Sequence, residues 1–164
     1  MKFVLFLLLG SILAAPSVHS HGGHDHGPAE EIMIPGGNKN GIEINLYRDK
    51  SCRCCKKWGA RMVEGGYKVV DNVSSDINDL KISEGISSSL ASCHTAFVEG
   101  YFIEGHVRGK SIDKLLRDMP DIAGISVPGM PLGSPGMETS QMAAENYDVL
   151  AVDFDGKVSV FDSY

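Results

Sequence analysis

The longest apolar stretch of the chain is its beginning. Phe3 to Leu9 is unbroken, and Ile12 to Ala15 continue it past Gly10-Ser11, behind the basic Met1-Lys2. A basic start, a short apolar run and small residues after it read as a secretory signal peptide over residues 1–20, cut after Ser20. The run is short for a membrane span of about 20 residues, so cleavage is preferred over anchorage. No second stretch of this kind follows. The mature chain is therefore expected to be exported and soluble, without a membrane span, in an oxidising compartment.

Residues 21–41 carry no periodicity. His21-Gly22-Gly23-His24-Asp25-His26 opens them, and the Gly/Pro/Glu-rich stretch to about Gly41 reads as linker. From there to residue 164 the pattern is that of short packed elements. Ile42 to Tyr47 alternates apolar and polar, which predicts a strand. Cys55, Trp58 and Met62 recur at helical spacing, and Gly65-Gly66 ends that helix. Tyr67 to Val73 predicts a strand and Asp76 to Lys81 a short helix. Thr95 to Val98 and Tyr101 to Val107 predict a hairpin turning at Glu99-Gly100. Ser111 is expected to cap a helix bearing Ile112, Leu115, Leu116 and Met119, ended by Pro120. Residues 121–146 read as a Pro/Gly/Met-rich connection. Tyr147 to Phe154 and Lys157 to Phe161 pair as a hairpin across Asp155-Gly156.

Strand, helix, strand, helix, strand, strand, helix, with cysteines at the first strand-to-helix junction, is the thioredoxin-like arrangement. The expected fold class is therefore α/β, thioredoxin-like, with the C-terminal β-hairpin as an appendage to the core sheet.

Composition narrows the function. With 43% apolar residues a core can form, and a net charge of −6 leaves no dense basic face for nucleic acid. Nothing suggests a paired-carboxylate site, a serine nucleophile elbow or a phosphate-cradling glycine loop. Four cysteines, six histidines and seven methionines are the excess that matters in 164 residues.

Cys52-Arg53-Cys54-Cys55 holds a C-x-x-C pair with a third thiol inside it. At a helix N-terminus the dipole and free N–H groups favour thiolate, and Arg53, Lys56 and Lys57 add positive charge. Cys55 leads the apolar stripe and is expected to be buried, with Cys52 the exposed partner. Cys93, in Ser92-Cys93-His94-Thr95, precedes a predicted central strand. In thioredoxin-like folds the loop at that place faces the C-x-x-C motif and usually carries a cis-proline; here a Cys-His pair stands instead. Four sulfurs and an imidazole converging on one spot suit Cu(I) or Zn(II). Three other readings stay open: two disulfides, Cys52–Cys55 with Cys54–Cys93; a structural zinc site, although zinc knuckles come as two separated pairs; and simple thiol oxidoreductase chemistry through Cys52 and Cys55, for which Cys54 is superfluous.

Four motifs in order carry a family resemblance. They are Tyr47 to Trp58 around the cysteines; Ser92-Cys93-His94-Thr95; Gly100-Tyr101 with Glu104-Gly105-His106-Val107; and Val127-Pro128-Gly129-Met130 running to Pro135-Gly136-Met137. Together they resemble the CopG-type copper-resistance proteins, periplasmic and thioredoxin-like, unrelated to the DNA-binding repressors of the same name. The resemblance covers residues 42–161. It implies a bacterial envelope protein that works beside other copper-handling proteins of the periplasm, with copper bound by Cys52, Cys54, Cys55, Cys93 and His94. Arg53 stands where the family often has Gly, and Arg108 where it often has Pro; neither change touches a sulfur.

His106, Met130 and Met137 are secondary metal candidates. A lone strand histidine is more often structural, and methionine plugs gaps as readily as it binds Cu(I). His21, His24 and His26 form a His-rich tract suited to Cu(II). The expected function is copper binding with redox-active cysteines: Cu(I) held by the reduced thiols, in a multinuclear cluster where thiolates bridge, or Cu(II) reduced by dithiol oxidation. A protein thiol–disulfide oxidoreductase and a passive copper metallochaperone are the alternatives, and zinc is the alternative metal.

Overall fold

Alternation places every second residue of β1 (Glu43–Arg48) inward. Ile44, Leu46 and Arg48 are buried, and the Arg48 guanidinium is paired with Asp71 at 2.6 and 2.8 Å. The computed structural model of the chain describes residues 41–164. The signal-peptide reading of residues 1–20 and the His-rich leader with His21, His24 and His26 lie outside the described residues.

Helix α1 (Arg53–Glu64) buries Cys55, Trp58, Gly59 and Met62, one stripe at helical spacing. It ends where Gly65 N–H and Tyr67 N–H return to the carbonyls of Arg61 and Met62. Strand β2 (Lys68–Val73) runs parallel to β1, and α2 (Ile77–Ser83) follows. Strands β3 (His94–Val98) and β4 (Tyr101–Gly105) form the expected hairpin. Its two turn residues, Glu99 and Gly100, both have positive φ, at 46° and 85°, as a tight two-residue hairpin requires. Helix α3 (Gly109–Asp118) leads to β5 (Gly124–Val127), and the chain closes with the hairpin β6 (Asp148–Val152) and β7 (Val158–Ser163).

Among the described residues the result is a mixed α/β structure in which seven strands form one sheet in the order β2-β1-β3-β4-β5-β6-β7. Trp58 and Met62 of α1 share one core with Ile112, Leu115 and Leu116 of α3, over Ile44, Leu46, Ala96 and Ile103. Strand alternation sends Phe97 and Phe102 to the opposite face, where they meet Ile86, Leu90 and Val152. The C-terminal ends of β1, β4 and β5 and the start of β3 lie at the same end of the sheet, which follows from the pairing.

Four sequence expectations are corrected. The segment 121–146 contains β5, buried at all four positions and paired parallel to β4. Its Ile125-Ser126-Val127 alternation is too short to stand out in a Pro/Gly-rich stretch. Because β6 pairs with β5, the terminal hairpin continues the main sheet and is no appendage. Arg108, not Ser111, is the N-cap of α3; Ser111 sits inside the first turn, where its hydroxyl contacts Asp162 and Tyr164. Met119 is left-handed at φ 41° and 47% exposed, so it terminates α3 instead of joining its apolar stripe.

Candidate metal centre

The turn from β1 into α1 presents the first three thiols. Cys52 is the N-cap, its Sγ accepting from Cys55 N–H at 3.3 Å. The sulfur therefore sits against the positive end of the helix. Cys54 points along the same turn, with its Sγ 3.5 Å from that of Cys52. Cys55 is fully buried, as its place at the head of the apolar stripe requires, and Cys52 is partly exposed. Cys52 and Cys55 are joined as a disulfide, with Cα atoms 5.4 Å apart, while Cys54 and Cys93 are free thiols.

The start of β3 delivers the fourth sulfur. Cys93 Sγ is 3.8 Å from Cys54 Sγ, and Cys55 Sγ is 3.6 Å from the Cys93 carbonyl oxygen. The four Sγ atoms lie within 4.8 Å of one another. Cys93 also belongs to a second group of the same compactness, with His94 and His106. Its Sγ is 3.6 Å from His94 Nδ1 and 3.0 Å from His106 Nε2. One thiol thus joins an all-sulfur cluster to a pair of imidazoles.

His106 is oriented for this contact. Its Nδ1 lies 2.8 Å from the Pro135 carbonyl oxygen. A carbonyl only accepts, so Nδ1 carries the proton and Nε2 offers its lone pair towards Cys93. His94 is fully buried against Trp58 and His106, with ring centroids 4.6 and 5.0 Å away. Its Nε2 has no hydrogen-bond partner among the described residues. An unpaired buried ring nitrogen is costly unless something binds it. Trp58 is fixed by its own bond, Nε1–H to the Val107 carbonyl at 2.9 Å.

Burial sets the protonation states. It holds His94 well below the ordinary histidine value, helped by His106 and Lys81, and it lowers His106. Both rings are therefore neutral donors near neutral pH. Burial, then the neighbouring Cys54, pushes the Cys93 thiol up to about 12. A cation must displace that proton to gain the sulfur.

The loop after β5 closes the site. Its Gly136, at φ 85°, lies so near α1 that a Cβ would stand 2.7 Å from Cys54 O and 2.8 Å from Trp58 N. Glu138 holds the loop to α1 through Arg61 at 2.9 Å. An open groove of about 610 Å³ runs beside the cysteines, lined by Cys52, Cys54, Lys57, Met137 and Met142 among others.

Of the sequence candidates, Cys52, Cys54, Cys55, Cys93 and His94 are brought together. His106, ranked second on sequence, makes the shortest contact to Cys93. Met137 is half-buried at the groove; Met130 is 51% exposed and is not among the groove's lining residues. Met142 was missed, since nothing in its surroundings in the sequence marks it.

A family model described as a protein of unknown function, DUF411, matches residues 90–137. Two solved structures, both of the copper resistance protein copG (form 2 and form 1), are 41% identical to this chain. Each aligns with a TM-score of 0.71 over 75% of this chain and over 98% or 97% of its own length. Among curated proteins, no match is found.

Proposed function

This chain belongs to the CopG copper-resistance family, and from that premise we propose that it binds Cu(I) through the reduced Cys52, Cys54, Cys55 and Cys93 together with His94 and His106. The carrying observation is the sharing of Cys93 between the four-sulfur group and the imidazole pair. Thiolates are soft and bridge metals, and neutral imidazole suits copper, so the arrangement favours several Cu(I) ions around one bridging sulfur. Zinc is the less favoured metal because its structural sites usually draw on two cysteine pairs separated along the sequence, whereas Cys52, Cys54 and Cys55 fall within one turn of chain.

The second element is redox coupling. Oxidation of the Cys52–Cys55 dithiol forms one S–S bond, releases two protons and supplies two electrons, enough to reduce two Cu(II) to Cu(I). The disulfide between these residues supports their use as the redox pair. We read Met137 as a soft donor at the groove and Met130 as a weaker one. The leader with His21, His24 and His26 is the first captor of Cu(II). Residues 1–20 export the chain to the periplasm, where it meets other copper-handling proteins. A thioredoxin-like core is supported by the block β2-β1-β3-β4, with β1 parallel to β2 and antiparallel to β3, and by the C-x-x-C at the first strand–helix junction.

The test is anaerobic Cu(I) titration of the reduced chain from residue 21 onward, with elemental analysis and a thiol count. More than one Cu(I) per chain, with thiols protected from alkylation, is expected. A zinc-only or metal-free product would overturn the reading. The second reading, a thiol–disulfide oxidoreductase for protein substrates, is favoured by the same disulfide. It predicts that Cys54→Ser retains full disulfide exchange, whereas copper binding predicts a loss of stoichiometry.

A further inference from the structure

On the face of the sheet opposite α1, a buried charge pair lies behind the Cys93 segment. Glu104 on β4 is fully buried and Lys81 on α2 is 5% exposed. Lys81 Nζ donates to Glu104 Oε1 at 2.5 Å and to Thr95 Oγ1 at 2.8 Å. The same Oε1 accepts the backbone N–H of Ser92 at 2.5 Å, and Oε2 accepts the Thr95 hydroxyl at 2.6 Å. Ser92 and Thr95 flank Cys93-His94 on either side. One carboxylate therefore holds both ends of the dipeptide that supplies a sulfur and an imidazole to the site. No proline stiffens residues 91–95. The next residue, Gly105, leaves room for Ser92: a Cβ there, at φ 74°, would stand 2.5 Å from Ser92 Cβ.

A buried ion pair is poor evidence of stability, since an apolar pair of equal volume often does as well. What an apolar pair cannot do is accept the Ser92 N–H. Metal donors need placement within about half an ångström, held by groups whose own positions are locked. We propose that Glu104, with Lys81 as its counter-charge, is a positioning residue that sets Cys93 within reach of both Cys54 and His106. The proposal rests on the copper reading for its purpose, but its geometry is testable without copper.

The comparison uses two variants of equal charge. K81M/E104Q keeps an acceptor for Ser92 N–H; K81M/E104L removes it. Alkylation of Cys93 and Cys54 is followed by peptide mass mapping in copper-free protein with the Cys52–Cys55 disulfide intact. In K81M/E104L, Cys93 is expected to react at least about tenfold faster, since the Ser92 N–H and the Thr95 hydroxyl both lose their charged acceptor. Cys54 stays within about twofold, and K81M/E104Q stays within about threefold of the parent for both thiols. Anaerobic Cu(I) titration then reads about a tenfold weaker affinity for the Leu variant alone. Equal Cys93 reactivity in the two variants, whatever their melting temperatures, overturns the proposal. Should K81M/E104L fail to fold, Thr95→Val removes one arm of the grip, and about threefold faster Cys93 alkylation is expected; an unchanged rate overturns it. If the parent protein takes up no copper, the copper reading falls while the alkylation result still decides the positioning role.

Discussion

His106 Nε2 stands 3.0 Å from Cys93 Sγ, across the β3–β4 hairpin, with its ring held by the Pro135 carbonyl at 2.8 Å. The contact joins an imidazole to the one thiol shared by both donor groups. His106→Gln is expected to weaken Cu(I) binding by at least about tenfold, as loss of a directed donor does. Anaerobic competition against a coloured Cu(I) chelator measures it. An unchanged affinity would make His106 a structural residue.

Cys93 and Cys54 are expected to differ in what their removal costs. Cys93→Ser breaks both groups, so copper stoichiometry should fall furthest there. Cys54→Ser leaves Cys93, His94 and His106 intact and should keep part of the copper. Elemental analysis of the two variants, loaded side by side, compares them. Equal losses would mean that the imidazole pair holds no metal of its own.

The metal-free protein should lose stability as pH falls. Burial holds the folded pKa of His94 well below the ordinary value of 6.5, and that of His106 below it. The unfolded chain therefore binds more protons than the native one between those lowered values and about 6.5. Stability is fully present above about pH 6.5 and declines below it, by up to about 1.4 kcal/mol per pH unit for each histidine. Urea unfolding at about pH 7.5 and about pH 5.5, with His94→Phe as the comparison, reads the slope. A midpoint that does not move with pH would contradict the burial argument.

Gly136→Ala should unseat the loop from α1. The residue has φ 85°, and the added Cβ would stand 2.7 Å from a backbone oxygen of Cys54. A left-handed non-glycine residue and a backbone clash together cost about 2 kcal/mol. Because Gly136 follows Pro135, the strain reaches the carbonyl that orients His106. A lowered unfolding midpoint and weaker Cu(I) binding are expected in the same variant. Full stability would show that the loop tolerates lifting away from the helix.

The periodic parts of the chain were legible before any coordinates. Alternation marked β1, β2, the β3–β4 hairpin and the final hairpin. The Cys55–Trp58–Met62 spacing marked α1, and with it the buried and exposed members of the C-x-x-C pair. The convergence of Cys93 on the other cysteines followed from the order of elements. Strand β5 was not legible, because Ile125-Ser126-Val127 is too short an alternation to stand out inside a Pro/Gly-rich stretch.

Local chemistry along the chain thus decided which donors exist and which elements carry them. Folding alone decided which donors meet. His106 reaches Cys93 because β4 pairs with β3 in one register, and because the Pro135 carbonyl, 29 residues further on, sets its tautomer. Glu104 grips the Cys93 segment because it stands directly across from Thr95 in that register. Such contacts join residues distant in sequence. Their geometry is set by sheet pairing and loop seating, which no local pattern of side chains encodes.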